Sequence, residues 1–227
     1  MLAFALIAAV AIAGILIGVS ATGSSGAKSP PKALAGAALT RQLFAGIPQN
    51  GMELGSPNAP VTMVEFADPA CPYCMQYAVN TLPEIVQRYV RTGQVRLLYN
   101  GLEFVGPASD PALRAIQAAG AQNKGWNVLD LLYRNQGDER TNWATTSLLR
   151  SVGASVPGLD GAKMVQDMNA PQTTAAIRSA AQQGTAAGVH QTPTFLIGRT
   201  GTTLQQLAIQ SLDIGAFAPT IEQLAKQ

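Results

Sequence analysis

The chain has 227 residues, room for one domain with extensions or for two small ones. Only 12% of residues are charged and 47% are apolar, which excludes disorder throughout and a coiled coil. Fifteen Lys and Arg against thirteen Asp and Glu leave +2 with no long basic run, so the sequence carries no nucleic-acid footprint. Two cysteines exclude a disulfide-dense scaffold and a four-thiolate zinc site, and a lone histidine, His190, excludes a multi-histidine metal centre.

Met1 to Val19 contains no charged side chain. As a helix it would be about 28 Å long, close to the hydrocarbon thickness of a bilayer. It reads as a transmembrane anchor or a signal helix, a buried core helix being the bland alternative. Val19-Ser20-Ala21 offers a small-residue cleavage site, whereas Lys28 and Lys32 follow the apolar run and no Lys or Arg precedes it. The anchor is preferred, with residues 1–20 as the export segment. Residues 21–45 then form a Gly/Ser/Pro-rich tether and one short helix spaced over Lys32 to Ala45.

Gly46, Pro48, Asn50 and Gly51 break that helix, and an extended piece near Met52 to Leu54 leads to a strand, Val61 to Ala67, apolar except for Thr62 and Glu65. The spacing predicts a helix over Pro72 to Arg91, kinked or split by Pro83 after Asn80-Thr81, then a strand over Val95 to Tyr99. Helical patterns follow at Pro111 to Asn123, Trp126 to Arg134, Thr145 to Val152, Gly161 to Met168 and Pro171 to Gly188. Strands at Thr194 to Gly198 and Thr203 to Leu207 and a helix from Phe217 to Lys226 close the chain. This is an α/β architecture with a helical insertion at about 105–188.

Cys71-Pro72-Tyr73-Cys74 falls where a strand gives way to a helix. Unpaired amides and the helix dipole at that position stabilise a thiolate on the first cysteine. The second cysteine lies one turn on, on the same face, and Pro72 suits the first helical position. Half a zinc site is the first alternative, but only His190 remains as a further nitrogen ligand. A structural disulfide is the second, and so short a loop would constrain the unfolded chain little. A redox pair is the favoured reading.

Val64-Glu65-Phe66-Ala67-Asp68, Cys71-Pro72-Tyr73-Cys74 and Gly188-Val189-His190-Gln191-Thr192-Pro193-Thr194-Phe195 together resemble the DsbA-like branch of thioredoxin-fold thiol–disulfide oxidoreductases. The resemblance covers residues 46–227 and implies a thioredoxin-like fold with an inserted α-helical domain. It implies a cis Pro193 with Thr192 facing the cysteine pair and binding extended substrate. A trans proline opening an edge strand is the alternative reading of Pro193 alone. The resemblance also places Glu65 as a buried acid that relays a proton to or from Cys74; a strand-end glutamate facing solvent is the alternative.

Pro72 and Tyr73 are the active-site dipeptide, and Tyr73 stands where the most oxidising relatives carry histidine. Asp68-Pro69-Ala70 departs from the residues the resemblance would place ahead of the first cysteine. His190, Trp126 and Trp143 read as a solvated loop residue and two packing residues. The implied activity is disulfide formation in secreted or envelope proteins, with reduction or isomerisation by the same dithiol as the alternative. A non-catalytic thioredoxin-fold binding module is the alternative of another class. Implied partners are cysteine-containing protein substrates and a membrane redox partner that reoxidises the pair. The chain is expected to act as an extracytoplasmic monomer, with no cofactor and no metal.

Overall fold

A computed structural model describes residues 34–226. The apolar segment read as an anchor or signal lies outside the described residues, as does most of the tether. Among the described residues no helix is long and apolar enough to cross a membrane.

Six strands form one sheet: β1 (Gln49–Asn50), β2 (Glu53–Leu54), β3 (Val61–Ala67), β4 (Val95–Gly101), β5 (Thr194–Arg199) and β6 (Gln205–Gln206), in the order β1-β2-β4-β3-β5-β6. β3 and β4 pair in parallel, with Glu65 opposite Tyr99, and β3 pairs antiparallel with β5, with Glu65 opposite Phe195. Every residue of β3 is buried, so both faces of the central strand are covered. Alternation then assigns the faces. Val61, Met63 and Ala67 enter the main core, while Val64 and Phe66 join Leu102 and Val189 on the opposite face. Glu65 has the parity of Met63, so a carboxyl group is carried into the main core.

The first helix, α1 (Ala37–Phe44), was set apart with the tether by the sequence pattern, yet it packs Leu43 and Phe44 into the main core. Phe44 and Trp126 are in ring contact at 6.4 Å. β1 falls where Pro48, Asn50 and Gly51 suggested only a break, because Gln49 and Asn50 find ladder partners in β2. The long helix after the cysteines splits where Pro83 required it. α2 (Pro72–Asn80) ends, α3 (Leu82–Ile85) begins, and Val86–Val90 continue as one π-helical turn. β6 is two residues rather than the five expected around Thr203 to Leu207.

Five helices, α4 (Ser109–Gly120), α5 (Gly125–Tyr133), α6 (Thr146–Ser155), α7 (Gly161–Asp167) and α8 (Pro171–Ala186), form the insertion between β4 and β5, and α9 (Ala218–Ala225) closes the chain. This is the thioredoxin-like fold with a helical insertion that the motifs implied. In the insertion α6 and α7 meet backbone to backbone, since a Cβ on Gly153 would lie 2.8 Å from Gly161 Cα. Backbone cannot yield as a flexible side chain can. Gly153→Ala is therefore expected to destabilise the protein by about 1–3 kcal/mol through overpacking. Urea denaturation should show a lower midpoint with an unchanged slope.

Candidate active site

Cys71 is the N-cap of α2, with extended backbone (φ −75°, ψ 123°) and Pro72 at the first helical position. Its Sγ accepts a hydrogen bond from the Cys74 amide at 3.4 Å and lies 3.4 Å from the carbonyl oxygen of Thr192. The Thr192–Pro193 bond is cis. The two cysteines are unbridged in this structure. The C-x-x-C and Thr-Pro motifs, more than a hundred residues apart in sequence, thus meet at one sulfur.

The two cysteines sit in unequal surroundings. Cys71 retains 3% of its surface and Cys74 none. The hydrogen bond from Cys74 lowers the Cys71 pKa from 9.0 to about 6, outweighing burial, with help from the Thr192 side chain and from the Cys74 and Tyr73 amides. Burial, the hydrogen bond to Cys71 and the charges of Cys71 and Glu65 push the Cys74 thiol well up. One thiol is ready to ionise and its partner is held protonated. Tyr73 stands 66% exposed beside them.

Glu65 does not face solvent. Its side chain lies between cross-strand neighbours Tyr99 and Phe195 on the main-core face, 3% exposed, and its Oε1 has no hydrogen-bond partner. Burial, then the nearby Cys71 charge, raises its pKa from 4.5 to about 8. At neutral pH it is a buried proton donor electrostatically coupled to both cysteines. His190 is exposed on the loop before Thr192, whereas Trp126 is fully buried and Trp143 packs against the core.

A groove of about 370 Å³ runs beside the pair, lined by Tyr73, Thr192, Pro193, Ile209 and Leu212 among others. Its apolar wall and main-chain groups could receive an extended peptide. Among the described residues no cluster of His, Cys, Asp or Glu could hold a metal ion.

Sequence reasoning missed two contributors. The Asp68 carboxylate accepts from Ala70 N at 2.7 Å, and the Gln136 side chain donates to Pro69 O and Cys71 O. An Asp two residues before the amide it binds is a turn signal that Asp68-Pro69 displayed openly. Gln136 offered none.

The sequence model of the thioredoxin family matches residues 48–209. The chain belongs to the thioredoxin family. It is 34% identical over 119 residues to a Bacillus cereus protein named "Probable disulfide bond formation protein D", a match covering 51% of this chain and 55% of that one. The chain spans little more than half the length of the first curated relatives it matches. Among solved structures, oxidised BdbD of Bacillus subtilis superposes with a TM-score of 0.68 at 22% identity, covering 80% of this chain and 97% of that one. Wolbachia pipientis α-DsbA1 gives 0.66 at 19%, covering 78% and 92%. The fold is therefore that of DsbA-type members of the family.

The pKa shifts act on stability with opposite signs. Cys71, depressed in the fold, favours the folded reduced protein above pH 9, a contribution lost as pH falls through about 6. Glu65, raised in the fold, contributes fully below pH 4.5, and that contribution is lost as pH rises through about 8. Reduced Glu65→Gln should therefore gain stability from pH 6 to 9 with no opposing slope. Reduced Cys71→Ser should only lose stability from pH 4.5 to 8. Denaturant melts across pH check both; identical profiles for the two variants would contradict the assignment.

Proposed function

We propose that the protein is a thiol–disulfide oxidoreductase that forms disulfides in cysteine-containing protein substrates, working outside the cytoplasm. The observation that carries this reading is the asymmetry of the pair: a readily ionised thiol at the mouth of the site and a protonated one beneath it.

In the oxidised enzyme a substrate thiolate attacks Cys71 Sγ. The Cys71–Cys74 bond breaks, a mixed disulfide forms between substrate and Cys71, and Cys74 leaves with the electron pair. Because the surroundings of Cys74 disfavour its thiolate, it takes a proton, and Glu65, protonated and buried nearby, supplies it. A second substrate thiolate then attacks the substrate sulfur of the mixed disulfide. The product disulfide departs and Cys71 leaves as the stabilised thiolate. The substrate is oxidised by two electrons, and the enzyme pair is reduced by two. We assign Thr192 and Pro193, with the groove below Tyr73, to holding the substrate chain against Cys71.

Stabilising the reduced form makes the disulfide the better oxidant. At pH 7 a Cys71 pKa of about 6 rather than 9.0 favours reduction by roughly 1.4 kcal/mol, or roughly 30 mV for a two-electron couple. Screening by solvent at the mouth of the site makes this an upper bound. Such a pair stays oxidised only in an oxidising compartment, which supports export. We take residues 1–20 as the membrane anchor or signal and the residues after them as the tether. Regeneration requires an acceptor of two electrons, which we place in the membrane, and we take the enzyme to be a monomer.

Purified enzyme should oxidise a dithiol peptide and Cys71→Ser should abolish turnover, with peptide mapping of the reduced protein showing alkylation at Cys71 before Cys74. The reduction potential should lie between roughly −270 mV, the reducing extreme, and roughly −120 mV, the strongly oxidising one. Efficient insulin reduction with no thiol oxidation would favour the reductase reading, and inactivity in both assays the binding module.

A further inference from the structure

The loop of residues 68–71 leaves the sheet at β3 and enters α2 without belonging to either, so its backbone groups need partners elsewhere. Within the loop, Cys71 N donates to Asp68 O at 3.0 Å and Ala70 N to the Asp68 carboxylate at 2.7 Å. Most other partners come from the segment between β4 and β5. The Tyr133 hydroxyl donates to Asp68 O at 3.2 Å, and Gln136 Nε2 donates to Pro69 O at 2.8 Å and Cys71 O at 3.2 Å. The carboxylate of Asp68, fully buried, reaches the other way, accepting from Phe104 N at 2.6 Å, Val105 N at 2.8 Å and Ser109 Oγ at 2.7 Å. A buried carboxylate is costly unless donors surround it, and here four donor groups converge on one side chain.

We propose that Asp68 is a positioning residue which, with Gln136 and Ser109, bolts the cysteine loop to the helical insertion and so holds Cys71 in its reactive geometry. The proposal deepens the oxidoreductase reading and rests on it. Amide donors stabilise a sulfur anion only at fixed distance and direction, so an insertion that grips the carbonyls on both sides of Ala70 sets how well Cys71 meets the Cys74 amide. The insertion is then part of the redox apparatus rather than a lid over it.

The test compares Gln136→Met, Ser109→Ala and Asp68→Asn in the full chain, reading the Cys71 thiolate titration by ultraviolet absorbance and the reduction potential against glutathione. Gln136→Met and Ser109→Ala keep the Asp68 charge. Thr173→Val serves as the control for mere destabilisation, since it removes a buried hydroxyl contact to Asp167 O within the insertion and touches no loop residue. Positioning predicts that Gln136→Met and Ser109→Ala raise the Cys71 pKa, on the order of one unit or tenfold less thiolate at acid pH, and lower the potential. It predicts the same direction for Asp68→Asn, where loss of a nearby negative charge alone would lower the pKa. The control should lose stability with an unmoved titration. An unchanged titration in Gln136→Met and Ser109→Ala, or a lowered pKa in Asp68→Asn, overturns the proposal. Because the titration needs no turnover, that failure is distinct from an inactive wild-type enzyme, which would overturn the proposed function instead.

Discussion

Of the three coupled acids Cys71, Cys74 and Glu65, only the Cys71 sulfur is to carry a negative charge in the resting reduced site. Each is coupled to at least one of the others, and among the described residues no cation contributes to the shift of any of them. With no described Lys or Arg contributing, the fold controls ionisation by geometry: amides for the group that is to be charged, burial for the groups that are not. Cys71 receives the Cys74 hydrogen bond at the start of α2, while Cys74 and Glu65 are shut into the main core. The rest of the structure follows from that division.

Burial of Glu65 depends on register. It is one residue in a strand buried on both faces, so only parity decides whether the carboxyl reaches the second cluster with Val64 and Phe66 or the main core below α2. Pairing with Tyr99 and Phe195 fixes that parity. Phe195 packs in turn on Tyr77 of α2 at 4.7 Å and on Phe217 at 5.0 Å, and Tyr77 meets Phe217 at 5.4 Å. This aromatic cluster seats the cysteine helix over the strand that carries the acid. The same β5 begins at Thr194, so the sheet that buries Glu65 also delivers Thr192 to the sulfur.

Much of this was legible because the chemistry is local. Cys71-Pro72-Tyr73-Cys74 announces both a helix start and a redox pair, and Thr192-Pro193 announces its counterpart. Pro83 marked the split in the helix because a missing N–H acts on its own turn. What escaped was held by partners distant in sequence. Pro48, Asn50 and Gly51 read as a break until β2 supplied a ladder to Gln49 and Asn50, and the short helix after the tether read as lying outside the domain until the core received Leu43 and Phe44. Gln136 is an ordinary polar residue whose meaning lies 65 residues back, at Cys71 O. Side chain–backbone bonds of that range leave no periodic trace.

Tyr73 shows how the charge constraint bears on redox character. A histidine there would place a cation beside Cys71, stabilising the thiolate further and making the disulfide a stronger oxidant. A phenol in that position leaves that work to amides and hydroxyls, whose contribution falls steeply with distance and angle, whereas a charge acts over a longer range. A site without the cation thus depends more on an immobile loop. That is where the converging donors on Asp68 and the two carbonyls held by Gln136 acquire their sense. The insertion compensates in rigidity for what the dipeptide lacks in charge.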